Sequence, residues 1–332
     1  MILHIGVNEG KFLPPFYYFL KEHFNIDDHK FYLFGDDKGF ENKEKVVFLN
    51  SKRQVISLIA VMNKADKIIL HGLFSPRIDQ LLFIQPWLLK KCYWVMWGGD
   101  FYFPEKQSFL RGRVIRKIRN LMTYIYGDYL LVKKWYGAKG KYNECLVYPS
   151  NLYKKCDVED RKDDLSTVNI QLGNSATETN NHLDVLEKLY KYKNENIKIF
   201  CPLSYGDDQY AIRVISRGKE LFGEKFEALT EFLPFDKYLS FLSKIDIGIF
   251  GNNRQQAMGN IITLLGLGKK IYITNNTTQW QLFNDLGIKI FDVNEININV
   301  INNKEKKENQ LIVKEYFSKK NYIKQLQNLF KD

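Results

Sequence analysis

The chain reads as an α/β protein made of two doubly wound, Rossmann-like domains. Three features predict this: a length of 332 residues, apolar runs alternating with helical periodicity in two blocks, and one polar, charge-dense stretch that divides them. Single cores stop growing at about 250 to 300 residues, so two fit this length. Apolar runs without strict alternation mark strands covered on both faces, as in a parallel sheet.

In the first block, residues 2–7 (ILHIGV) predict a strand, 15–23 a helix and 30–34 a strand that ends at Gly35. A short strand at 46–49, a helix over 52–64 and a strand at 67–70 follow. The block continues with a helix over 79–89, a strand at 92–96 and a basic helix from 106 to about 126. Strands at 129–132 and 144–147 close it. Residues 153–166 (YKKCDVEDRKDDLS) have the composition of a linker.

The second block repeats the alternation. Strands are predicted at 168–172, 197–201, 226–229, 245–250 and 270–274, with helices over 181–192, 209–222 and 236–242 between them. Asp236 has the chemistry of an N-cap. A last amphipathic helix is predicted over 321–330. The expected domains are 1–152 and 167–312, with 313–332 returning to the first. Two such domains would form a cleft at the carboxyl ends of their strands, where doubly wound sheets bind ligands.

The most informative stretch is FGNNRQQAMGNIITLLGLGKKIYI, which begins at Phe250. A buried strand opens into a polar loop, the loop feeds a helix, and Gly266 and Gly268 close that helix before the next strand. A helix N-terminus offers unpaired amides to an anion. Arg254 adds a guanidinium fork suited to a diphosphate. Gln255, Gln256, Gly259 and Asn260 complete the expected anion site, although the same residues also suit an ordinary polar loop. A second strand runs into Gly173, Asn174, Ser175 and Thr177, an amide- and hydroxyl-rich cradle of the same kind. Tyr205, Phe232 and Phe235 lie at further strand ends.

Composition narrows the field. Charged residues make up 26% and apolar residues 45%, which describes a globular chain. The longest apolar stretches are broken by Lys90, Lys91 or glycine, so no membrane span is expected. Residues 1–10 carry no secretory pattern, and the expected location is cytoplasmic. Four scattered cysteines, Cys92, Cys145, Cys156 and Cys201, favour neither zinc nor a disulfide scaffold.

A formal net charge of +11 implies an acidic partner. The run KQSFLRGRVIRKIR holds Lys106, Arg111, Arg113, Arg116, Lys117 and Arg119 with no acid. A cationic amphipathic helix suits the anionic lipid of an inner leaflet, so peripheral attachment to the inner face of the cell membrane is expected. The apolar stripe taken alone suits a core contact equally well. Nucleic acid is not expected as a partner, since no recognition motif is present.

HGLFSP, WGGDFY, LGNSATETNNH, FLPFDKYLSFLSKIDIGIF and RQQAMGN stand in the order and spacing of a known family. In these motifs the chain resembles the bacterial 4-acetamido-4,6-dideoxygalactose transferases. That family adds the sugar from a dTDP donor to lipid II in enterobacterial common antigen assembly. The resemblance covers nearly the whole chain, most firmly 67–100 and 168–280. It implies a GT-B glycosyltransferase whose second domain holds the nucleotide-sugar and whose first domain faces a polyprenyl-diphosphate-linked acceptor. Gly99 stands where the family pattern has Ala, and Asn252 and Asn253 stand where it has Phe-Ala.

The residues support sugar transfer independently. A departing diphosphate needs donors fixed before reaction, and the loop amides with Arg254 can supply them without metal or cofactor. No D-x-D pair occurs, which argues against the metal-dependent single-domain architecture. Inverting transfer needs a base, and Asp100 and His71 are the candidates, with Glu9 a third. Each also has a structural reading, Asp100 as a turn cap and His71 as a satisfied core histidine; a retaining reaction would need no base. Ser75, Trp97, Gly98, Gly99 and Tyr102 are the expected acceptor contacts. The alternatives are a nucleotide-sugar epimerase of the same shape and a basic nucleic-acid-binding protein.

Overall fold

The computed structural model describes residues 1–41, 44–154 and 167–331. Most of the expected linker, with Cys156, lies outside the described residues. The chain divides into two compact units, Met1–Leu152 with Lys319–Asp332, and Tyr153–Ser318.

The first unit contains β1 (Ile2–Val7), α1 (Leu13–His23), β2 (His29–Phe34), β3 (Val46–Phe48), α2 (Lys52–Lys64), β4 (Lys67–His71), α3 (Pro76–Ile84), β5 (Cys92–Val95), α4 (Phe109–Lys117), β6 (Asn120–Met122), α5 (Tyr126–Tyr136) and β7 (Lys141–Asn143). Its sheet runs β3-β2-β1-β4-β5-β6-β7, and its strand pairs are parallel. The second unit contains β8 (Val168–Leu172), α6 (His182–Leu189), β9 (Ile197–Pro202), α7 (Asp208–Phe222), β10 (Phe226–Leu229), α8 (Phe235–Ser243), β11 (Ile247–Phe250), α9 (Met258–Gly266), β12 (Lys270–Ile273), α10 (Thr278–Asp285), β13 (Phe291–Asp292) and α11 (Asn303–Tyr316). Its sheet runs β10-β9-β8-β11-β12-β13, again parallel. A final helix, α12 (Lys319–Lys331), belongs to the first unit.

Strand order reverses between β1 and β4 in one sheet and between β8 and β11 in the other. At such a switch point the connecting loops leave in opposite directions and open a crevice at the carboxyl ends. Central strands there are covered on both faces: all of β4 and all of β11 are buried. Ser51, Ser108, Asp207 and Thr277 cap the helices that follow them, each accepting from a backbone N–H in the first turn.

The structure corrects several sequence expectations. The basic helix ends at Lys117, and Leu121 and Met122 lie in β6. Residues 129–132 are helical within α5, and the edge strand sits at 141–143 rather than 144–147. The helix expected over 79–89 is α3 followed by a 3-10 turn at Pro86–Lys91. Helices α10 and α11 were not anticipated from the pattern.

Candidate functional site

In the second unit, the loop after β8 and the loop after β11 flank the switch point and are sewn together. Asn252 Nδ2 donates to Asn180 Oδ1 at 3.1 Å, and Asn181 Nδ2 donates to the Gly251 carbonyl at 2.7 Å. Thr179 Oγ1 donates to Gln256 Oε1 at 2.7 Å, and the Asn253 N–H reaches the Thr179 carbonyl. Asn180 is the hub. Its Nδ2 also bonds the Ser175 carbonyl, the Ser175 hydroxyl and the Thr177 carbonyl.

Both loops deliver a helix N-terminus whose cap residue makes no side-chain cap bond. Asn181 before α6 and Ala257 before α9 are non-glycine residues in the left-handed region, at φ 52° and 61°. Such backbone costs on the order of 1 kcal/mol or more and persists only where surroundings enforce it. At α6 the first amide, His182 N–H, is taken by the Tyr210 hydroxyl at 3.2 Å, whereas the Ala257 cap offers no side-chain acceptor to the first amides of α9. Gly173 is also left-handed, at φ 66°, and a Cβ there would stand 2.2 Å from His182 Nε2. No other residue fits.

The remaining expected donor contacts distribute around this core. Asn174 Nδ2 donates to the Tyr205 hydroxyl at 2.9 Å, and the Ser175 and Thr177 hydroxyls pair at 3.0 Å. Asn260 Oδ1 accepts from Gln171 Nε2 and from the Tyr238 hydroxyl. Gln256 N–H donates to Gln279 Oε1, and Arg254 Nη1 bonds the neighbouring Gln255 carbonyl. Phe232 is 79% exposed, away from these bonds, and the Phe235 side chain lies outside the described residues. Sequence reasoning missed Asn180, Gln171, Tyr238 and His182. Gln171 Oε1, Asn174 Oδ1, His182 Nε2 and Asn252 Oδ1 are buried without a partner among the described residues.

In the first unit, the strand ends carry a different chemistry. Asp100 is fully buried and its carboxylate is saturated: Oδ2 accepts from Leu73 N–H at 3.0 Å and Trp94 Nε1 at 2.7 Å, and Oδ1 accepts from Trp97 N–H at 3.1 Å. Burial pushes its pKa up, and these donors pull it back. The geometry gives Asp100 the work of holding the HGLFSP loop against the WGGDFY loop.

His71 ends β4 and is also buried. Gly6 lies opposite it in register, and a Cβ on Gly6 would stand 2.9 Å from His71 Cβ. His71 Nδ1 bonds the Tyr148 hydroxyl at 2.8 Å and Nε2 bonds His4 Nδ1 at 3.0 Å. Burial drives its pKa down to about 3, so the ring is neutral near pH 7. Both ring nitrogens of His71 are engaged within the protein.

Trp97 Nε1 donates to the same Tyr148 hydroxyl at 3.0 Å, and Phe12 packs edge-on to Trp97. Gly72, Phe74 and Ser75 line a small recess with Gly6, beside His71. The Tyr102 hydroxyl is committed to Asp128 at 2.7 Å. Gly98 is left-handed, whereas Gly99 is exposed, not left-handed, and would place a Cβ 3.6 Å from Phe74. An alanine fits at 99, as the family pattern has it. Glu9 is exposed after β1.

Among the expected lipid-facing cations, Arg113, Arg116, Lys117 and Arg119 are exposed. Arg111 differs. It is paired with buried Asp79 at 3.1 Å and bonds Gln107, so it braces α4 against α3 instead of facing a surface. Phe83, Ile84, Trp87 and Phe109, on α3, the 3-10 turn and α4, are large exposed apolar residues. No helix among the described residues is long and apolar enough to cross a membrane.

Comparison with known proteins gives these sites a setting. The family model described as 4-alpha-L-fucosyltransferase glycosyl transferase group 56 matches residues 22–332. The crystal structure of Anabaena Alr3699/HepE in complex with UDP and glucose superposes with a TM-score of 0.72 at 12% identity, covering 100% of this chain and 99% of that one. A glycosyltransferase from Rickettsia africae ESF-5 gives 0.66 at 14% identity over 99% and 97% of the two chains. WaaG, a glycosyltransferase involved in lipopolysaccharide biosynthesis, gives 0.57 at 9% identity over 99% and 94%. The fold is GT-B.

Proposed function

We propose, from the premise that the chain belongs to the 4-alpha-L-fucosyltransferase glycosyl transferase group 56 family and is a glycosyltransferase, that it moves an acetamido-deoxyhexose from a dTDP-linked or other nucleoside-diphosphate donor to a polyprenyl-diphosphate-linked saccharide in surface polysaccharide synthesis. The observation that carries this reading is the pair of helix N-termini, neither capped by its own N-cap side chain, whose loops Asn180 ties together at the second unit's switch point. Two sets of oriented amides match the two phosphoryl groups of a leaving diphosphate. Arg254 on the same loop adds charge, and no metal or cofactor enters the proposed step. The Anabaena structure of the same fold is a complex with UDP and glucose, which supports a nucleoside-diphosphate donor here.

The first unit is assigned the acceptor. Trp97, Phe12 and Phe74 offer an aromatic wall beside the only titratable hydroxyl of this cluster, Tyr148. The exposed cations of α4 and the apolar residues Phe83, Ile84, Trp87 and Phe109 suit the anionic surface in which a polyprenyl carrier sits, on the cytoplasmic side of a membrane.

Thermal-shift screening against dTDP, UDP and GDP tests the donor reading: one nucleoside diphosphate should raise the melting temperature, and none doing so would sink it. Arg254→Ala should weaken that nucleotide about tenfold by calorimetry, the loss of one charge-assisted bond. Neutralising Arg113, Arg116 and Lys117 together should move the protein from pellet to supernatant with phosphatidylglycerol vesicles while nucleotide affinity stays the same.

A further inference from the structure

Three of the chain's five histidines form one buried hydrogen-bonded line. His29 Nδ1 meets His4 Nε2 at 2.9 Å, His4 Nδ1 meets His71 Nε2 at 3.0 Å, and His71 Nδ1 meets the Tyr148 hydroxyl at 2.8 Å. Trp97 Nε1 closes the line at 3.0 Å. The register explains the alignment: His4 and Gly6 share one face of β1, Ile2 pairs with His29, and Gly6 pairs with His71. The line therefore runs from the start of β2, through the middle of β1, to the carboxyl end of β4. The His4 ring stacks on Phe31 at 4.3 Å and meets Phe16 edge-on, so its surroundings away from the line are apolar.

One polarity gives every proton along the line, the Tyr148 hydroxyl's included, an acceptor within it. An indole nitrogen only donates, so Tyr148 accepts from Trp97 and has its own proton to give. His71 Nδ1 receives it. The neutral rings are then set in turn: His71 Nε2–H donates to His4 Nδ1, and His4 Nε2–H donates to His29 Nδ1. All three rings are held well below their ordinary pKa by burial, His29 at about 4, which keeps each one able to accept and donate at once.

The head of the line is held under strain. Val147, directly before Tyr148, is left-handed at φ 64°, a conformation that a β-branched residue rarely adopts. It is pinned by α12: the Tyr322 hydroxyl donates to the Val147 carbonyl and Gln325 Oε1 accepts from the Leu146 N–H. A backbone forced into this shape one residue before a buried hydroxyl points to selection for where that hydroxyl stands.

We propose that Tyr148, His71, His4 and His29 form a relay that removes the proton an acceptor hydroxyl loses on transfer. This rests on the glycosyltransfer reading above. As the acceptor oxygen bonds the anomeric carbon, the bond from that carbon to the diphosphate breaks and the diphosphate leaves with the electron pair. The acceptor proton passes to Tyr148 oxygen, and Tyr148 passes its own to His71 Nδ1. His71 hands its Nε2 proton to His4 Nδ1, His4 hands its Nε2 proton to His29 Nδ1, and His29 gives up its Nε2 proton to solvent water at the start of β2. One proton leaves and no ring ends charged. Tyr148 touches the reacting group, and the three histidines act through it.

The test uses the full chain with dTDP-linked 4-acetamido-4,6-dideoxygalactose and a polyprenyl-diphosphate disaccharide, following dTDP release. Tyr148→Phe should lower kcat by about 100-fold, the ordinary worth of a proton acceptor. His4→Phe and His29→Phe should lower it about tenfold with donor KM unchanged, measured at a temperature where circular dichroism shows each variant folded, since each strands a buried ring nitrogen. In mixed H2O and D2O the wild type should give a bowed rate curve, from several protons in flight, and His4→Phe a straight one. Folded His4→Phe and His29→Phe with wild-type kcat and a bowed curve would overturn the relay while leaving transfer standing. A wild type inert with this pair would remove this donor and acceptor from the transfer reading and leave the relay to stand or fall on the ring nitrogens themselves. Imidazole nitrogen NMR decides the line itself without turnover: protonated Nε2 on all three rings and scalar coupling across both ring-to-ring bonds are expected, and protonated Nδ1 on any of them would end it.

Discussion

The two units share one topology and solve the problem of their strand ends in opposite ways. The second unit ties its loops with neutral amides, Asn180, Asn181, Asn252 and Gln256, which bond equally well at any ordinary pH. The first ties its loops with a buried carboxylate, three imidazoles and a phenol. A site that grips a diphosphate needs fixed dipoles that do not titrate. A site beside a hydroxyl that must lose a proton gains from groups that do, and the proposed division of donor and acceptor between the two units rests on this difference.

Acid should separate them most. His4, His29 and His71 have folded pKa values below the unfolded value of about 6.5, so their stabilising contribution is full above that pH and is lost as pH falls toward about 4. Three groups give a slope of up to about 4 kcal/mol per pH unit, against about 1.4 for the single buried His182 of the second unit. Trp87, Trp94, Trp97 and Trp135 should therefore lose native fluorescence at a higher pH than Trp280; simultaneous loss would erase the contrast.

Next in size is Asp100→Ala. It strands three buried donors, and a loss of about 3 to 5 kcal/mol is expected from urea unfolding. Wild-type stability with lost turnover would return Asp100 to the role of base. Asn180→Ala should cost about 2 kcal/mol of nucleotide affinity by calorimetry, since both loops lose their common anchor. Unchanged affinity would mean the loops hold without it. Smallest is Gly99→Ala, within about 0.5 kcal/mol by thermal unfolding, whereas Gly72→Ala should exceed it, because Gly72 is left-handed with Phe74 2.4 Å from its missing Cβ.

The alternation of strands and helices was legible because buried parallel strands are unbroken apolar runs, and the phosphate loops stood out because glycine and arginine punctuate them. Short edge elements were not. β6 is three residues between two helices and falls at helical spacing from α4, while the run YLLV inside α5 has the composition of a strand. The site partners were hidden for another reason. Asn180 and Asn252 look like turn residues, and their bond spans 72 positions; His4 and His71 are 67 apart. Nothing in the sequence near Tyr148 announces the left-handed Val147 or the helix that enforces it.

That helix sets an order on the making of the molecule. Tyr322, Gln325 and the Leu329 carbonyl, which accepts from Lys67 Nζ, brace parts of the first unit. The N-terminal half is thus translated first but finished last: until residues 322–329 leave the ribosome, the segment around Val147 lacks its bonds to Tyr322 and Gln325, while the intervening unit can already close on itself.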